Sequence, residues 1–430
     1  MMSCISKPSL ELAILLLQDW QRTARAATFC TLRTDEWTGA AELAQLNHAW
    51  RATIDEWRAI QVTVTLESPD DAACHVLARH AQLRSIELQS CQCLGMRYGS
   101  PNVSDETSLR AVLQGCSQLE QLTLHNGKFP DALFFALDPP ALSQLHHLRL
   151  RNCMELTGGG IVECARRCPR LTTLELSGIG RMQATDDVTD AVLAQVIACC
   201  PLLEEVILRY CQRLTSAAAD ALVTAGERLR RLELRDNSMF PTPEALARIG
   251  RSCAQLRALH VVGAARSHLL RSDSSEPPPF DAALLQVARG CSQLTELDVN
   301  DCRLLDGPAV VAEIARRCHG LEVLGLPSEA ATDVALDALG AHCVRLRSLD
   351  VTGGRLTDAG LSRLLARCPR LHVLHLNHCP DVGVAGLRAI AAHCKDLRVL
   401  CAYGCKTEAG KEGAVDDIVA ACEHLTTCRC

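Results

Sequence analysis

A nine-residue pattern, Cys-x-x-Leu-x-x-Leu-x-Leu, recurs along this chain and leaves it few ways to fold. Its first leucine falls at Leu83, Leu119, Leu145, Leu171, Leu203, Leu229, Leu256, Leu294, Leu321, Leu346, Leu371, Leu397 and Leu425, thirteen copies in all. Nine of the twelve spacings lie between 25 and 28 residues, and the other three are enlarged to 36, 32 and 38. A period this short and regular marks stacked units. No one unit can bury its own apolar face, so the stack is what folds.

Inside a copy such as Leu371, Leu374 and Leu376, the x-Leu-x-Leu-x stretch alternates with period two, which is the period of a short strand with one buried face. A helix is expected after each strand. Leu356-Thr357-Asp358 and Ala331-Thr332-Asp333 offer a hydroxyl as N-cap with an acid in the first turn, and Leu361, Leu364 and Leu365 then recur at helical spacing. The expected fold class is therefore α/β, a right-handed strand-helix solenoid curved as a horseshoe. It would hold about thirteen repeats of ~26 residues over 67–430, with a small helical module over 1–66 ahead of it.

The 25 cysteines follow the same period. Ten (116, 168, 200, 253, 291, 318, 343, 368, 394 and 422) stand three residues before the first leucine, and six (91, 153, 211, 302, 379 and 405) stand eight after it. Stacking would gather them into two columns of small buried side chains, expected as free thiols. A reduced state on that scale favours cytosol or nucleus. A zinc site needs four converging ligands, and the close pairs such as Cys91/Cys93 lack a second pair.

Other chemistry is thin. Gly404 to Lys411 fails as a phosphate loop because Glu412 stands where Ser or Thr is needed, and neither H-E-x-x-H nor G-x-S-x-G occurs. No catalytic residue, cofactor or metal is expected, and the chain is read as a non-enzyme. The net charge of −6 gives no general pull toward nucleic acid or anionic membrane, and the apolar run Leu12 to Leu17 is too short to span a bilayer. Neither partner is expected.

Cys368-Pro369-Arg370-Leu371 through Cys379, with Leu356-Thr357-Asp358, closely resembles the cysteine-containing leucine-rich repeats over about 350 residues. That family uses the fold as a binding surface, and many members carry an F-box, the three-helix module that docks on a Skp-type adaptor. All four tryptophans lie within the first 57 residues, and Ala44 to Arg51, Glu56 to Ile60 and the strand-like Val62 to Leu66 look like the second half of an F-box. The resemblance makes Leu43, Leu46, Trp50, Trp57 and Ile60 the adaptor-binding residues. The usual Leu-Pro opening is absent, and residues around Arg22 to Thr38 are extra. The segment also reads as a plain cap over the first repeat.

Side chains four and six after each first leucine should face out of the concave sheet. They include Arg149, Arg151, Arg209, Arg235, His260, Asp298 and Tyr403, taken as the partner-binding face. The arginines suit an acidic segment, with Glu175 and Glu233 limiting the field, or pair with those acids as a solvated surface. The insertions Cys93 to Thr107, Gly178 to Val188 and Ala264 to Phe280 should emerge on one rim, and the strand of the Leu425 copy is expected to leave an open edge. Two functions fit: substrate recognition in an SCF-type, cullin-based ubiquitin ligase, or a non-catalytic scaffold within a cytoskeletal, ciliary or other assembly.

Overall fold

The computed structural model describes residues 30–33, 62–66, 84–89, 106–138, 140–179, 188–237, 240–263, 279–406 and 411–429, in two compact units, Met1–Leu203 and Glu204–Cys430. In the first unit the strands are β1 (Cys30–Arg33), β2 (Val62–Leu66), β3 (Ser85–Gln89), β4 (Gln121–His125), β5 (His147–Arg151) and β6 (Thr173–Ser177). Each pairs in parallel with the next. Its helices are α1 (Glu106–Gly115), α2 (Ala132–Phe135), α3 (Gly158–Arg166) and α4 (Asp190–Cys199).

In the second unit β7 (Glu205–Arg209), β8 (Arg231–Arg235), β9 (Ala258–Val262), β10 (Glu296–Asp298), β11 (Val323–Gly325), β12 (Ser348–Asp350), β13 (Val373–His375), β14 (Val399–Cys401) and β15 (Thr427–Arg429) form a parallel run in sequence order. Between them lie α5 (Ala218–Thr224), α6 (Pro243–Ser252), α7 (Asp281–Gly290), α8 (Gly307–Arg317), α9 (Asp333–His342), α10 (Asp358–Arg367), α11 (Val384–His393) and α12 (Lys411–Ala421).

Every copy of the motif yields one strand, β3 to β15, and the leucines behave as the pattern requires. Leu171, Leu256 and Leu371 are fully buried, as are Leu374 and Leu376. Burying one such side chain is worth about 2 kcal/mol. Leu425 departs from the expectation by being only half buried, because no further described unit packs on its outer side. The sheet also reaches back beyond the sequence boundary at 67. Val62–Leu66 and Cys30–Arg33 are strands of it, since the Val-Thr-Val-Thr-Leu alternation can pair with Ser85–Gln89 in register. Whether helices fill the rest of 1–66 lies outside the described residues.

Cysteine joins the stack through its sulfur. In the first column successive thiols donate to the backbone carbonyl of the preceding member over one stretch: Cys291 Sγ to Cys253 O at 3.2 Å, Cys318 to Cys291 O at 3.7 Å, Cys343 to Cys318 O at 3.7 Å and Cys368 to Cys343 O at 3.7 Å. In the second column Cys379 donates to Val351 O at 3.3 Å and Cys405 to Leu376 O at 3.1 Å, the carbonyl five residues after the previous unit's first leucine. Asn237 takes the same place in its own unit, with Nδ2 on Leu208 O and Oδ1 accepting from Cys211 N. The cysteines of both columns that are described are buried. Their role is packing, as expected, with a weak hydrogen bond added.

A second ladder runs along the helix starts. Thr357 caps α10 by accepting from Gly360 N, while its own N–H and hydroxyl donate to the two carboxylate oxygens of Asp333, one unit earlier. Asp358 then accepts from Gly383 N. The first-turn acids of α9 and α10 thus each tie their helix start to the next one. Thr332 departs from the expected cap: its backbone has cap geometry, but its hydroxyl makes no capping bond.

Candidate partner-binding face

Outward positions follow from strand alternation: with the second, fourth and sixth residues after the first leucine facing out, the third and fifth are buried. The first unit brings Arg149, Arg151 and Glu175 together. Arg151 grips Glu175 through Nε and Nη2, each at 2.7 Å, and Arg149 Nε stands 3.7 Å from the same carboxylate. Glu175 is 1% exposed, whereas the Arg149 and Arg151 side chains are each about a third exposed. A molecule approaching this face meets the cations first.

The second unit repeats the arrangement. Glu233, nearly buried, lies 2.8 Å from Arg209 Nε and 3.3 Å from Arg235 Nε. Burial alone would raise its carboxyl, but the Arg209 hydrogen bond and the charges of Arg209, Arg235 and His260 hold it below the usual range. Beside it, Arg231 reaches past Ala258 to Glu296 two strands away at 2.7 Å. The methyl of Ala258 leaves that path open. His260 approaches the same carboxylate at 3.3 Å, and this contact, with the Arg231 bond and against burial, holds Glu296 down to about 2.

A similar bridge crosses Gly325. Asn300 Nδ2 donates to Asp350 Oδ2 at 3.2 Å, and Asp298, Gly325 and Asp350 share one register on β10, β11 and β12. A Cβ on Gly325 would collide with Asp298 and Asn300, 2.6 and 2.7 Å away, so both side chains lie over the glycine. Burial pushes the Asp298 carboxyl up. Asp350 is pulled the other way: burial would raise it, but His375 and Thr352 hold it below its ordinary value. His375 is correspondingly raised by its bond to Asp350. Tyr403 is 66% exposed at the rim, its ring edge-on to His378.

Each concave-face residue taken from the sequence is therefore on the outward face: Arg149 and Arg151 in the first unit, Arg209, Arg235, His260, Asp298 and Tyr403 in the second. Arg231 and Glu296 were missed. They occupy the second position after the first leucine, and the same alternation that places the fourth and sixth would have found them. Leu43, Leu46, Trp50, Trp57 and Ile60 lie outside the described residues, as do nearly all of the three insertions. The flanks of two are described: Gly178 and Gly263, at positive φ, stand where the chain leaves β6 and β9, each with the Cβ position filled by Asn152 or Asp236. Among the described residues no three His, Cys, Asp or Glu are grouped to hold a metal ion, and no helix is long and apolar enough to cross a membrane.

Residues 342–365 and 367–391, which span α10 and β13 and most of α11, match a family model described as Leucine Rich repeat. These are leucine-rich repeats. The leucine-rich-repeat solenoid is also the fold seen in the crystal structure of the Rad7 and Elc1 complex in yeast, at 15% identity and TM-score 0.54, covering 93% of this chain and 90% of that one. An internalin from Listeria monocytogenes matches at 14% identity and TM-score 0.43, over 76% of this chain and 84% of its own. Leucine-rich repeats are a protein-interaction architecture, and the outward rows just described are the surface they present here.

Proposed function

We propose that this chain is the substrate-recognition subunit of an SCF-type ubiquitin ligase, taking an acidic protein segment on the outward strand rows. A Skp-type adaptor would be held through Leu43, Leu46, Trp50, Trp57 and Ile60, and the transfer chemistry would belong to the other subunits of the cullin ligase. One observation carries the acidic preference: the guanidiniums of Arg149, Arg151, Arg209 and Arg235 stay accessible while Glu175 and Glu233 are buried beneath them. Fork-shaped donors over a buried acid keep their orientation and can still meet a second carboxylate or a phosphate. The adaptor side is supported by the resemblance of residues 43–60 to an F-box and by the likeness in fold to a chain crystallised in a two-protein complex. Purifying the full chain from cells tests it: a Skp-type adaptor in stoichiometric amount, lost when Trp50 and Trp57 are changed to Ala, is the expected result.

A second reading, a non-catalytic scaffold whose first residues only cap the repeats, draws on one feature. β1 and β2 start 32 residues apart and are strands of the repeat sheet, so the F-box-like residues occupy a connection of nearly repeat length. Absence of the adaptor with a tightly held larger assembly favours this reading.

A further inference from the structure

Cations gather where three consecutive helices of the second unit end and the chain turns back into the sheet. Residues 341–347, 366–372 and 392–398 carry the chain from α9, α10 and α11 into β12, β13 and β14. They hold Arg345, Arg347, Arg367, Arg370, Lys395 and Arg398, all exposed, against one acid, Asp396. The whole chain has a net charge of −6, so this edge is opposite in sign to the total. Backbone bonds set the three segments in line: His372 N donates to Arg347 O and Arg398 N to His372 O, each at 2.7 Å. Turns closed by Leu346 N on Cys343 O at 3.2 Å and by Leu397 N on Cys394 O at 3.3 Å put Arg345 and Lys395 at exposed tips.

Cations at helix C-termini also serve the helix itself, but that role is too small to account for this edge. Each helix end presents about half a negative charge, so three ends absorb roughly 1.5 of the positive charges. Acids of the same unit take little more. Glu322 lies 3.2 Å from Arg347 Nε, with both side chains well exposed. Arg367 lays its stem over α9, its Cδ 3.2 Å from where a Cβ on Gly340 would stand, and its charge helps to hold the Asp337 carboxyl down. Arg345, Arg370 and Arg398 form no side-chain hydrogen bond or ion pair among the described residues. Their charge is left for something outside the chain.

We propose that this basic edge binds an acidic polypeptide, a run of consecutive Asp or Glu residues lying across the ends of α9, α10 and α11. The dimensions fit. Packed helices lie about 8–10 Å apart, so three span about 20 Å, the reach of about six extended residues. Arginine forks take carboxylates by paired bonds. Single-stranded nucleic acid calls for aromatic rings to stack on, and the three segments hold none. A bilayer surface calls for apolar side chains to insert, and Val344 is the one large apolar side chain exposed there. A nucleic-acid duplex, charged along its length, would also meet Asp333 and Asp358 about 15 Å away at the other ends of α9 and α10, which a short acidic strand avoids. The edge is separate from the Arg149 and Arg151 face and needs neither that partner nor an adaptor.

Carbodiimide coupling of a peptide of about ten glutamates to the full folded chain tests the proposal, since a carboxylate seated on this edge lies beside Lys395. At low salt, mass spectrometry should find the peptide joined to Lys395 ahead of Lys128, Lys406 and Lys411. Arg345→Glu with Arg370→Glu and Arg398→Glu should cut that coupling about tenfold, as should salt at roughly 0.5 M. Arg149→Glu with Arg151→Glu should leave it unchanged, and duplex DNA or phosphatidylserine vesicles at equal charge should displace little of the peptide. No preference for Lys395, a coupling indifferent to the three reversals or lost with the Arg149 and Arg151 pair, or displacement by duplex or vesicles overturns the proposal. The coupling pattern of the wild-type chain decides even where a variant does not fold.

Discussion

Arg151 holds Glu175 diagonally across β5 and β6 by two parallel bonds of 2.7 Å, although strand register sets Arg149, not Arg151, directly opposite that carboxylate. Arg149 stays at 3.7 Å. The diagonal works because the longer reach lets the guanidinium plane align with both carboxylate oxygens, the geometry in which Arg and carboxylate pair best. Arg151→Ala should therefore cost about 1–3 kcal/mol, since it leaves a buried carboxylate short of its main partner, and Arg149→Ala less than about 1 kcal/mol. Urea unfolding of the two variants measures the difference; equal losses would show that the two arginines share the acid.

Gly360→Ala should destabilise, against the usual gain of about 1 kcal/mol for this change within a helix. The added Cβ would collide with the Asp333 carboxylate, which sits there to receive Thr357. In an Asp333→Ala background the same substitution should turn neutral or stabilising. Thermal unfolding of the double-mutant cycle checks it, and additive effects would mean that the acid and the glycine are not coupled.

Stability should fall as pH rises above about 9. Cys253, Cys291 and Cys343 are neutral in the fold and raised to about 12, against about 9 when exposed, so the stability they contribute is complete below 9 and is lost as pH climbs toward 12. Cys291→Ala should remove one such group and flatten the slope between pH 9 and 11 by about 1.4 kcal/mol per pH unit. An unchanged slope would place the alkaline transition elsewhere.

The acid limb has the opposite sign. Glu296, held down to about 2 by His260 and Arg231, adds stability that is present above the ordinary carboxyl range near 4.5 and is lost as pH falls toward 2. Glu296→Gln should lower stability at pH 7 and leave it nearly unchanged at pH 2; a variant that loses as much at both would contradict the ion-pair origin.

The repeat was legible in the sequence because burial enforces it: Leu171, Leu256 and Leu371 must be apolar wherever the stack is, and each motif copy became a strand. The outward rows were legible in position, since alternation places Arg149 or His260 on the open face without saying what it touches. Their pairings were not. Arg231 reaches Glu296 because Ala258 is small, and Asn300 reaches Asp350 because Gly325 has no side chain, relations set by three strands at once and carried by no local pattern. The cysteine columns could be counted, yet that Asn237 and Cys379 serve one hydrogen-bonding place shows only in three dimensions.

Co-purification of the full chain with two sets of substitutions tests the central claim, that one segment holds an adaptor while the outward rows hold an acidic partner. Trp50→Ala with Trp57→Ala should remove the Skp-type adaptor and retain the partner, and Arg149→Glu with Arg151→Glu should remove the partner and retain the adaptor. Partner binding should weaken further at high salt, since the arginines are accessible. A chain that brings down no adaptor, or whose partner is indifferent to the reversed charges, would contradict the account.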